Sequence, residues 1–417
     1  MPAEKQKNGN RSFLWTLRYT LLNAAYFAAF CTIHACAAIF LLGNGFTNTE
    51  VGVLLAVANI VSAIVQPVIA GIIDKQGALT NRRFILISVL VILLGSVILL
   101  FTTNNKLVIF PVFALIYMIQ FAYQPVMTAL CFEYQKAGCP IVYGLARGLG
   151  SASFAVTSAF IGGLVESNGI RILLYLNIAF MLFSAILIFT FKKPVRNTPE
   201  ETSEAHKESS SSKTSSDASR STSLGGFIKA YPAFSLFLIG VICFFFAHNM
   251  INDFMIQIIR NLGGGERELG YANFLQAILE LPVMALIGLI LKKITSRSLL
   301  LLSGVAFLVK IVILIFASNM GHMYLSQCCQ LLAYAVFIPA AAYYVSKTMA
   351  DHDQVKGQAF VTSCITIGGV FSNLISGVIL DHLGIRPMLI TGTIVCAVGV
   401  AIGFFALLKL PAKKNGN

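Results

Sequence analysis

Four charged residues lie inside long apolar stretches of this sequence: Arg147, Asp253, Glu280 and Lys310. A charged side chain at the centre of a membrane helix costs about 2.5–3.5 kcal/mol on insertion scales. Such a residue is retained where it faces a cavity or a partner, so these four are the first candidates for function.

Glu280 and Lys310 could handle protons. Glu280 lies near the middle of an apolar stretch, in the segment QAILELP. Burial favours the neutral form of a carboxyl group, which can then take up a proton near neutral pH. Lys310, one apolar stretch later, could be its counter-charge. We expect this pair to couple protons to function; the alternative for Glu280 is a structural hydrogen bond at a kink marked by Pro282.

Arg147 and Asp253 could contact a solute. Arginine presents a fork of N–H donors that suits hydroxyl or carboxylate groups. Arg147 lies close to the start of its apolar stretch, however, and its side chain could instead extend to the membrane surface. Asp253 either lines the outer half of a cavity or is an interfacial residue near the outer end of its stretch.

Neutral polar residues in the apolar stretches extend this set. Asn249 and Asn252 are candidate hydrogen-bond partners for a polar solute. His34 and His248 are titratable candidates, since histidine changes charge near neutral pH. His34 could bind the solute or satisfy a backbone carbonyl group.

The elements that hold these residues must be membrane helices. Of the 417 residues, 57% are hydrophobic and only 11% are charged, and the mean hydropathy is +0.80. Soluble domains carry about 25% charged residues, and a helix needs about 20 apolar residues to cross a bilayer. The pattern predicts an all-α membrane protein with twelve transmembrane helices. The apolar stretches are 14–42, 50–73, 84–102, 107–132, 143–165, 171–191, 227–259, 269–291, 298–317, 322–348, 356–380 and 385–408.

A Ser/Thr-rich segment divides the helices into two sets of six. Residues 193–226 are almost free of apolar side chains and predict a solvated, flexible cytoplasmic linker. We therefore expect a six-helix bundle over 1–192 and a second over 227–417.

The two sets share a repeat at the ends of their fifth helices. GGLVESNGIR at 162–171 matches SGVILDHLGIR at 376–386, pairing Glu166 with Asp381 and Gly169 with Gly384. Parallel repeats of this kind place a solute site between the two halves. The alternative is chance similarity between short glycine-rich helix ends.

The basic residues predict the orientation. With both termini in the cytoplasm, 23 of the 30 Lys and Arg residues lie on the cytoplasmic side and five on the other. This bias follows the positive-inside rule. It predicts a multi-pass protein of the inner or plasma membrane, and it explains the net charge of +13 without a nucleic-acid partner. The nine cysteines show no metal-ligand spacing.

The first cytoplasmic loop carries a candidate gate. Its residues are Asp74, Lys75, Gly77, Arg82 and Arg83. A carboxylate at a helix end can pair with basic groups on a neighbouring helix end in one bundle orientation and separate in the other. The alternative is an ordinary solvated helix end.

This loop resembles the cytoplasmic signature of the major facilitator superfamily. Gln66-Pro67 ahead of Asp74-Lys75 resembles the lactose-permease-like branch, although Ala70 stands where that signature has glycine. Further matches are Tyr143-Gly-x-Ala-Arg147, Ile239-Gly240-Val241-x-Cys243, Gly270-Tyr271 and Gly304 with Lys310. The resemblance implies oligosaccharide–proton symport. It implies that Arg147 hydrogen-bonds sugar hydroxyls, and it places Glu280 about one helical turn from the position of the family's proton-coupling carboxylate.

The sequence also departs from that branch. The Lys, His and Glu of its tenth helix are replaced by Leu331, Tyr334 and Phe337, and the acid of its seventh helix by Asn249. The place of its sugar-stacking Trp holds Phe154, which could still stack on an apolar ring face. By this alignment Phe154 and Tyr334 join the candidate substrate-binding residues, and galactoside specificity does not carry over.

The predicted function is secondary transport. The sequence has no Walker A loop, HExxH or GxSxG motif, so ATP-driven transport and enzymatic activity are not expected. We predict a monomeric proton symporter for a small polar organic solute, a sugar or oligosaccharide, with the lipid bilayer as its surroundings and no cofactor or metal. The alternatives are a permease or exporter for a nucleoside, organic anion or drug, and a membrane sensor or scaffold that binds without transport.

Overall fold

The computed structural model describes residues 2–74, 79–102, 104–192 and 224–409, and within these ranges it is helical without β-strands. The N-terminal set of helices is α1 (Pro2–Phe30), α2 (Ala37–Gly43), α3 (Asn48–Asp74), α4 (Asn81–Phe101), α5 (Lys106–Lys136), α6 (Tyr143–Asn168) and α7 (Ile172–Thr190). The C-terminal set is α8 (Leu224–Ala230), α9 (Pro232–Asp253), α10 (Met255–Asn261), α11 (Glu266–Lys293), α12 (Ser296–Ile315), α13 (Met320–Cys328), α14 (Tyr334–Thr348), α15 (Asp351–His382) and α16 (Ile385–Phe404).

The helices confirm the expected all-α membrane class. Ten spans in the described ranges are long and apolar enough to cross a bilayer. Two bent pairs pass the same test together: α1 with α2, bent by 49°, and the two parts of α11, bent by 53°. The total is twelve if each bent pair crosses once. The predicted linker at 193–226 lies outside the described residues except for its last three, which form the start of α8.

Two faces of the helix array can be told apart from contacts between helix ends. On the face that we call distal, the first turn of α3 meets the last turn of α15, and the first turn of α11 meets the end of α6. On the face that we call terminal, the start of α4 meets the ends of α5 and α7. The N-terminal and C-terminal sets pack against each other chiefly through two helix pairs, α3 with α15 and α6 with α11.

The repeated glycines of the sequence have the same backbone conformation. Gly169 follows α6 with φ 75° and ψ 176°, and Gly384 follows α15 with φ 86° and ψ −171°. This region of positive φ is essentially restricted to glycine. Both turns therefore need glycine for the same reason, and each lies between two successive helices of its set.

Candidate substrate and coupling site

Interruptions in four spans bring polar groups to the middle of the helix array. A π-helical turn, Cys31–Ala35, separates α1 from α2 and carries His34. A break at Phe254 ends α9 directly after Asp253, and a 3₁₀ turn, Cys329–Leu331, separates α13 from α14. The fourth interruption is the bend of α11, which follows Val283 and lies close to Glu280. Discontinuous membrane helices of this kind surround the binding sites of secondary transporters.

Glu280 and Lys310 are joined through a third residue, Gln330. The Lys310 Nζ donates a hydrogen bond of 2.9 Å to the Gln330 Oε1, and the Gln330 Nε2 donates one of 2.9 Å to the Glu280 Oε1. Lys310 is fully buried and Gln330 is 1% exposed, whereas Glu280 is half-buried. The predicted pair is therefore bridged by an amide and involves α11, α12 and the 3₁₀ turn between α13 and α14.

Arg147 faces this cluster from the N-terminal set. Its guanidinium lies over the ring of Phe27 at 4.4 Å and donates a hydrogen bond of 2.6 Å to Ser151. It interacts electrostatically with Glu280 and Tyr334, both in the C-terminal set. Arg147 is half-buried, and the partners that it has within the described chain leave guanidinium donors available for a solute.

Tyr334 and Asn252 both contact His248. The His248 ring stacks on Tyr334 with a centroid distance of 5.3 Å and an interplanar angle of 16°. Its Nε2 is 2.9 Å from the Asn252 Nδ2. His248 also interacts electrostatically with Lys310, so these side chains form one continuous polar and aromatic layer next to the Lys310–Gln330–Glu280 cluster.

His34 lies in an aromatic cage on the opposite side. Its ring stacks on Phe30 at 3.7 Å, and Tyr117 and Phe121 approach it at 3.7 Å and 4.5 Å. Neither ring nitrogen makes a well-formed hydrogen bond within the described chain. Phe154 extends the cage, at 6.4 Å from Phe30.

Asp253 and Asn249 lie between the N-terminal and C-terminal sets of helices. Asp253 interacts electrostatically with Tyr117 of the His34 cage, and its carboxyl group lies near the Asn373 side chain of α15. Asn249 donates to the Phe245 carbonyl at 2.9 Å and lines a cavity between the two sets of helices. The candidate substrate residues thus surround the space between the sets, but they divide into two groups, one near Glu280 and one near His34.

The cavity beside Asn249 has a volume of about 730 Å³. Its walls belong to α3, α4, α5, α9 and α15, and it extends along α3 to Ile73 and Asn81 at the terminal face. Its polar lining residues carry amides or hydroxyls, and no charged side chain is among the described residues that line it. They are Asn59, Ser62, Gln66, Asn81, Asn249, Thr362, Ser363 and Thr366.

The distal face is closed by two equivalent contacts. The Asp381 carboxylate accepts hydrogen bonds from the backbone amides of Asn48 and Thr49, at 3.1 Å and 2.7 Å. The Glu166 carboxylate accepts one from the backbone amide of Arg267 at 3.0 Å and pairs with its guanidinium at 3.0 Å. Each repeated acid therefore caps the first turn of a helix in the opposite set.

Glycines bring the same helices into backbone contact. A Cβ at Gly52 would overlap the carbonyl oxygen of Asn373, and a Cβ at Gly270 would lie 2.5 Å from the carbonyl oxygen of Ser158. The reciprocal contacts involve Gly377 and Gly162. Small residues allow membrane helices to approach this closely, so the distal halves of both helix pairs are tightly packed.

The predicted cytoplasmic gate is described only in part. Arg82 donates hydrogen bonds of 3.1 Å to the carbonyls of Ile188 and Phe189, at the end of α7 in its own set. The Arg83 amide is capped by Thr80. Lys75 and Gly77 lie outside the described residues, as does the Asp74 side chain at the end of α3. A gating role for these residues stays a prediction.

Sequence reasoning missed Gln330, the cavity hydroxyls and Gly52. Gln330 is an uncharged polar residue in an apolar stretch, where a single amide does not stand out as an ionisable residue does. Gly52 and Gly270 occupy equivalent places in α3 and α11, so an extended search for repeats could have paired them.

The MFS_1 like family model matches residues 14–390. The chain belongs to this family. Solved structures of several transporters are similar to it over nearly its whole length. A crystal structure of a point mutant of the nucleoside transporter NupG has a TM-score of 0.76 at 14% identity, over 95% of this chain and 100% of that one.

Two further transporters share the fold of this MFS_1 like protein. A bacterial homologue of the human lysosomal transporter Spinster, inward-facing and occupied, has a TM-score of 0.65 at 15% identity, over 95% of this chain and 96% of that one. An auto-inhibited POT family peptide transporter has a TM-score of 0.70 at 10% identity, over 97% and 98%. No curated protein sequence matches the chain. At these identities the structures establish the transporter fold alone, and the relatives are not enzymes.

Proposed function

We propose that this MFS_1 like protein is a proton-coupled symporter that moves a small polar organic solute by alternating access. The observation that carries the proposal is the Lys310–Gln330–Glu280 cluster, which places one half-buried carboxyl group opposite Arg147 between the two sets of helices. A buried carboxyl near a solute site can bind a proton and a solute together. Assignment to the lactose-permease-like branch belongs to this proposal.

The proposed cargo is an uncharged, polyhydroxylated solute, with a sugar or oligosaccharide favoured. The amide and hydroxyl lining of the 730 Å³ cavity supports this class, because such groups can both donate to and accept from solute hydroxyls. Arg147 would add a fork of donors, and Phe154 an apolar ring face. Asn249, Asn252, Asp253, His34 and Tyr334 would complete the binding surface.

The proposed transport cycle starts from the state in which the distal face is closed. Opening it requires release of the Glu166 and Asp381 caps, while the terminal face closes around Asp74, Lys75, Gly77, Arg82 and Arg83. A rocking motion of two six-helix bundles, joined by the 193–226 linker, is the proposed rearrangement. The proposal includes cytoplasmic termini, a cell-membrane location and a monomer.

Counterflow in proteoliposomes tests the function. Purified protein is reconstituted, and labelled lactose, sucrose, glucose and uridine are tested for entry into vesicles loaded with the same unlabelled solute, with external pH recorded. We expect entry of at least one sugar together with external alkalinisation. Solute entry without alkalinisation contradicts symport and leaves a facilitator.

Glu280→Gln separates symport from facilitated transport. Exchange needs no change in the charge of Glu280, whereas net accumulation does. The variant should retain exchange and lose accumulation if Glu280 carries the proton. A transport-inactive sensor or scaffold would show neither process in the parent protein.

A nucleoside is the second candidate, and the aromatic cage around His34 favours it. Phe121 lines the cavity and lies 4.5 Å from the His34 ring, whose nitrogens lack a well-formed hydrogen bond. An aromatic wall with imidazole nitrogens beside it suits a planar base bearing hydrogen-bonding edges. Uridine entry without entry of the three sugars would support the nucleoside.

A further inference from the structure

Gln330 occupies a fixed place in the interrupted tenth span. The 3₁₀ turn Cys329–Leu331 separates α13 from α14, and short 3₁₀ segments within helices often mark functional positions. The turn is held on both sides by α12. Ser326 donates a hydrogen bond of 2.8 Å to the Lys310 carbonyl, and Ser303 donates one of 2.7 Å to the Ala333 carbonyl. These bonds attach the segments on both sides of Gln330 to α12.

The charges on either side fix the orientation of the Gln330 amide. A lysine ammonium can only donate hydrogen bonds, and a carboxylate can only accept them. The Oε1 therefore faces Lys310 and the Nε2 faces Glu280, as the two bonds of 2.9 Å show. The inverted amide would place N–H groups against the ammonium and an oxygen against the carboxylate, and both bonds would be lost.

The amide also keeps the two charges apart. Opposite charges in direct contact attract strongly where the local dielectric constant is low, and breaking a buried pair is costly. With Gln330 between them, Lys310 keeps its acceptor whether Glu280 is charged or neutral. Glu280 is the half-buried member, and Arg147 and Tyr334 also act on it, whereas Lys310 is fully buried.

We propose that Gln330 is the positioning residue for proton coupling: its amide fixes the Glu280 carboxyl group between the two sets of helices and keeps Lys310 hydrogen-bonded and buried. This inference rests on the proposed symport. The proton binds a Glu280 carboxyl oxygen from water on one side and leaves from that carboxyl group to water on the other, and Gln330 carries no proton. Loss of the Nε2 donor removes a hydrogen bond to the charged form, so proton release becomes slow.

The test compares Gln330→Leu with Gln327→Leu. Gln327 is fully buried three residues earlier, and among the described residues the hydrogen-bond partner of its Nε2 is the Met323 sulfur, at 3.9 Å. Each variant is reconstituted with trapped pyranine as the proton probe and with the four labelled solutes of the counterflow panel. The quantity measured is the ratio of proton-driven uptake to exchange at equal solute concentration.

We expect Gln330→Leu to lower this ratio about tenfold or more, because a hydrogen bond to a charged group is lost, while exchange continues. Gln327→Leu should change the ratio by less than about twofold. Equal ratios for Gln330→Leu and the parent protein overturn the inference. An equal fall in both variants also overturns it, since the effect would then be a general one of the interrupted helix.

A second variant addresses folding. Gln330→Leu leaves a buried ammonium without its acceptor, and Lys310→Met combined with Gln330→Leu removes that group. The double variant should fold and exchange solute but not accumulate it; accumulation at the parental level contradicts the role of Gln330. A parent protein that exchanges solute without moving protons would instead refute the symport on which the inference rests.

Discussion

Glu166 and Asp381 occupy equivalent places in the two sets of helices, and each caps the first turn of a helix in the other set. The caps differ in detail. Glu166 also pairs with the Arg267 side chain, while Asp381 also accepts from the Asn48 side chain at 2.9 Å. The Glu166–Arg267 ion pair is largely exposed and should contribute less than about 1 kcal/mol. The backbone amides that each acid satisfies are the shared and more important part.

Removing one cap should loosen one helix start only. In Asp381→Ala, which leaves no side-chain acceptor for the Asn48 and Thr49 amides, amide hydrogen exchange in the first turn of α3 should accelerate by about 2- to 30-fold, corresponding to the usual loss of a helix cap. In Glu166→Ala, which leaves no acceptor for the Arg267 amide, the acceleration should occur in the first turn of α11. Hydrogen–deuterium exchange with mass spectrometry follows both segments, and each variant is the control for the other. Unchanged exchange at both helix starts would contradict the capping role.

Adding a methyl group at Gly52 should open the distal face. In Gly52→Ala the Cβ would overlap the Asn373 carbonyl oxygen and force α3 away from α15. Gly71→Ala on the same helix is the matched control, because a Cβ there meets nothing within 4 Å. Double electron–electron resonance between nitroxides at Leu107→Cys and Leu383→Cys, after replacement of the native cysteines, should report longer distances for Gly52→Ala only. Equal distances in both variants would refute the prediction.

Neutralising one member of the buried cluster should destabilise the protein more than neutralising both. Lys310 is fully buried, so Glu280→Gln removes its nearest counter-charge beyond Gln330. Breaking a buried pair in this way costs about 3 kcal/mol, and the Gln330 bridge should reduce that cost. Thermal unfolding in detergent should therefore give a lower Tm for Glu280→Gln than for Glu280→Gln combined with Lys310→Met. The reverse order would show that the two charges are not coupled.

Arg147 should be sensitive to replacement by lysine. The guanidinium both stacks on Phe27 and donates to Ser151, and an ammonium cannot reproduce the planar fork. Arg147→Lys should raise the KM of counterflow about tenfold, whereas Ser151→Ala, which removes one hydrogen bond, should raise it by a few-fold at most. An unchanged KM in Arg147→Lys would show that the solute does not contact Arg147.

Much of the fold could be predicted without coordinates. The length and composition of the apolar stretches are sufficient for membrane helices, because the cost of exposing an unpaired backbone to lipid leaves few other structures. The repeat around Glu166 and Asp381 likewise pointed to two related sets of helices. Its contacts were not predicted, since a sequence repeat shows which positions are equivalent and not which helix in the other set they meet.

The chemistry of the site was predicted less completely. Glu280 and Lys310 stood out from the sequence because a charge is conspicuous in an apolar stretch. Gln330 did not, since an amide costs less to bury and its importance depends on what lies beside it.

By itself, the sequence determined the membrane class, the helices and the buried charges, because these depend on hydrophobicity summed along the chain. Only the tertiary structure decided that Gln330 stands between Glu280 and Lys310 and that Glu166 and Asp381 close the distal face. These relationships depend on where the helices break and how closely their glycines let them approach. Such distances arise from packing between segments far apart in the chain, which local sequence patterns do not encode.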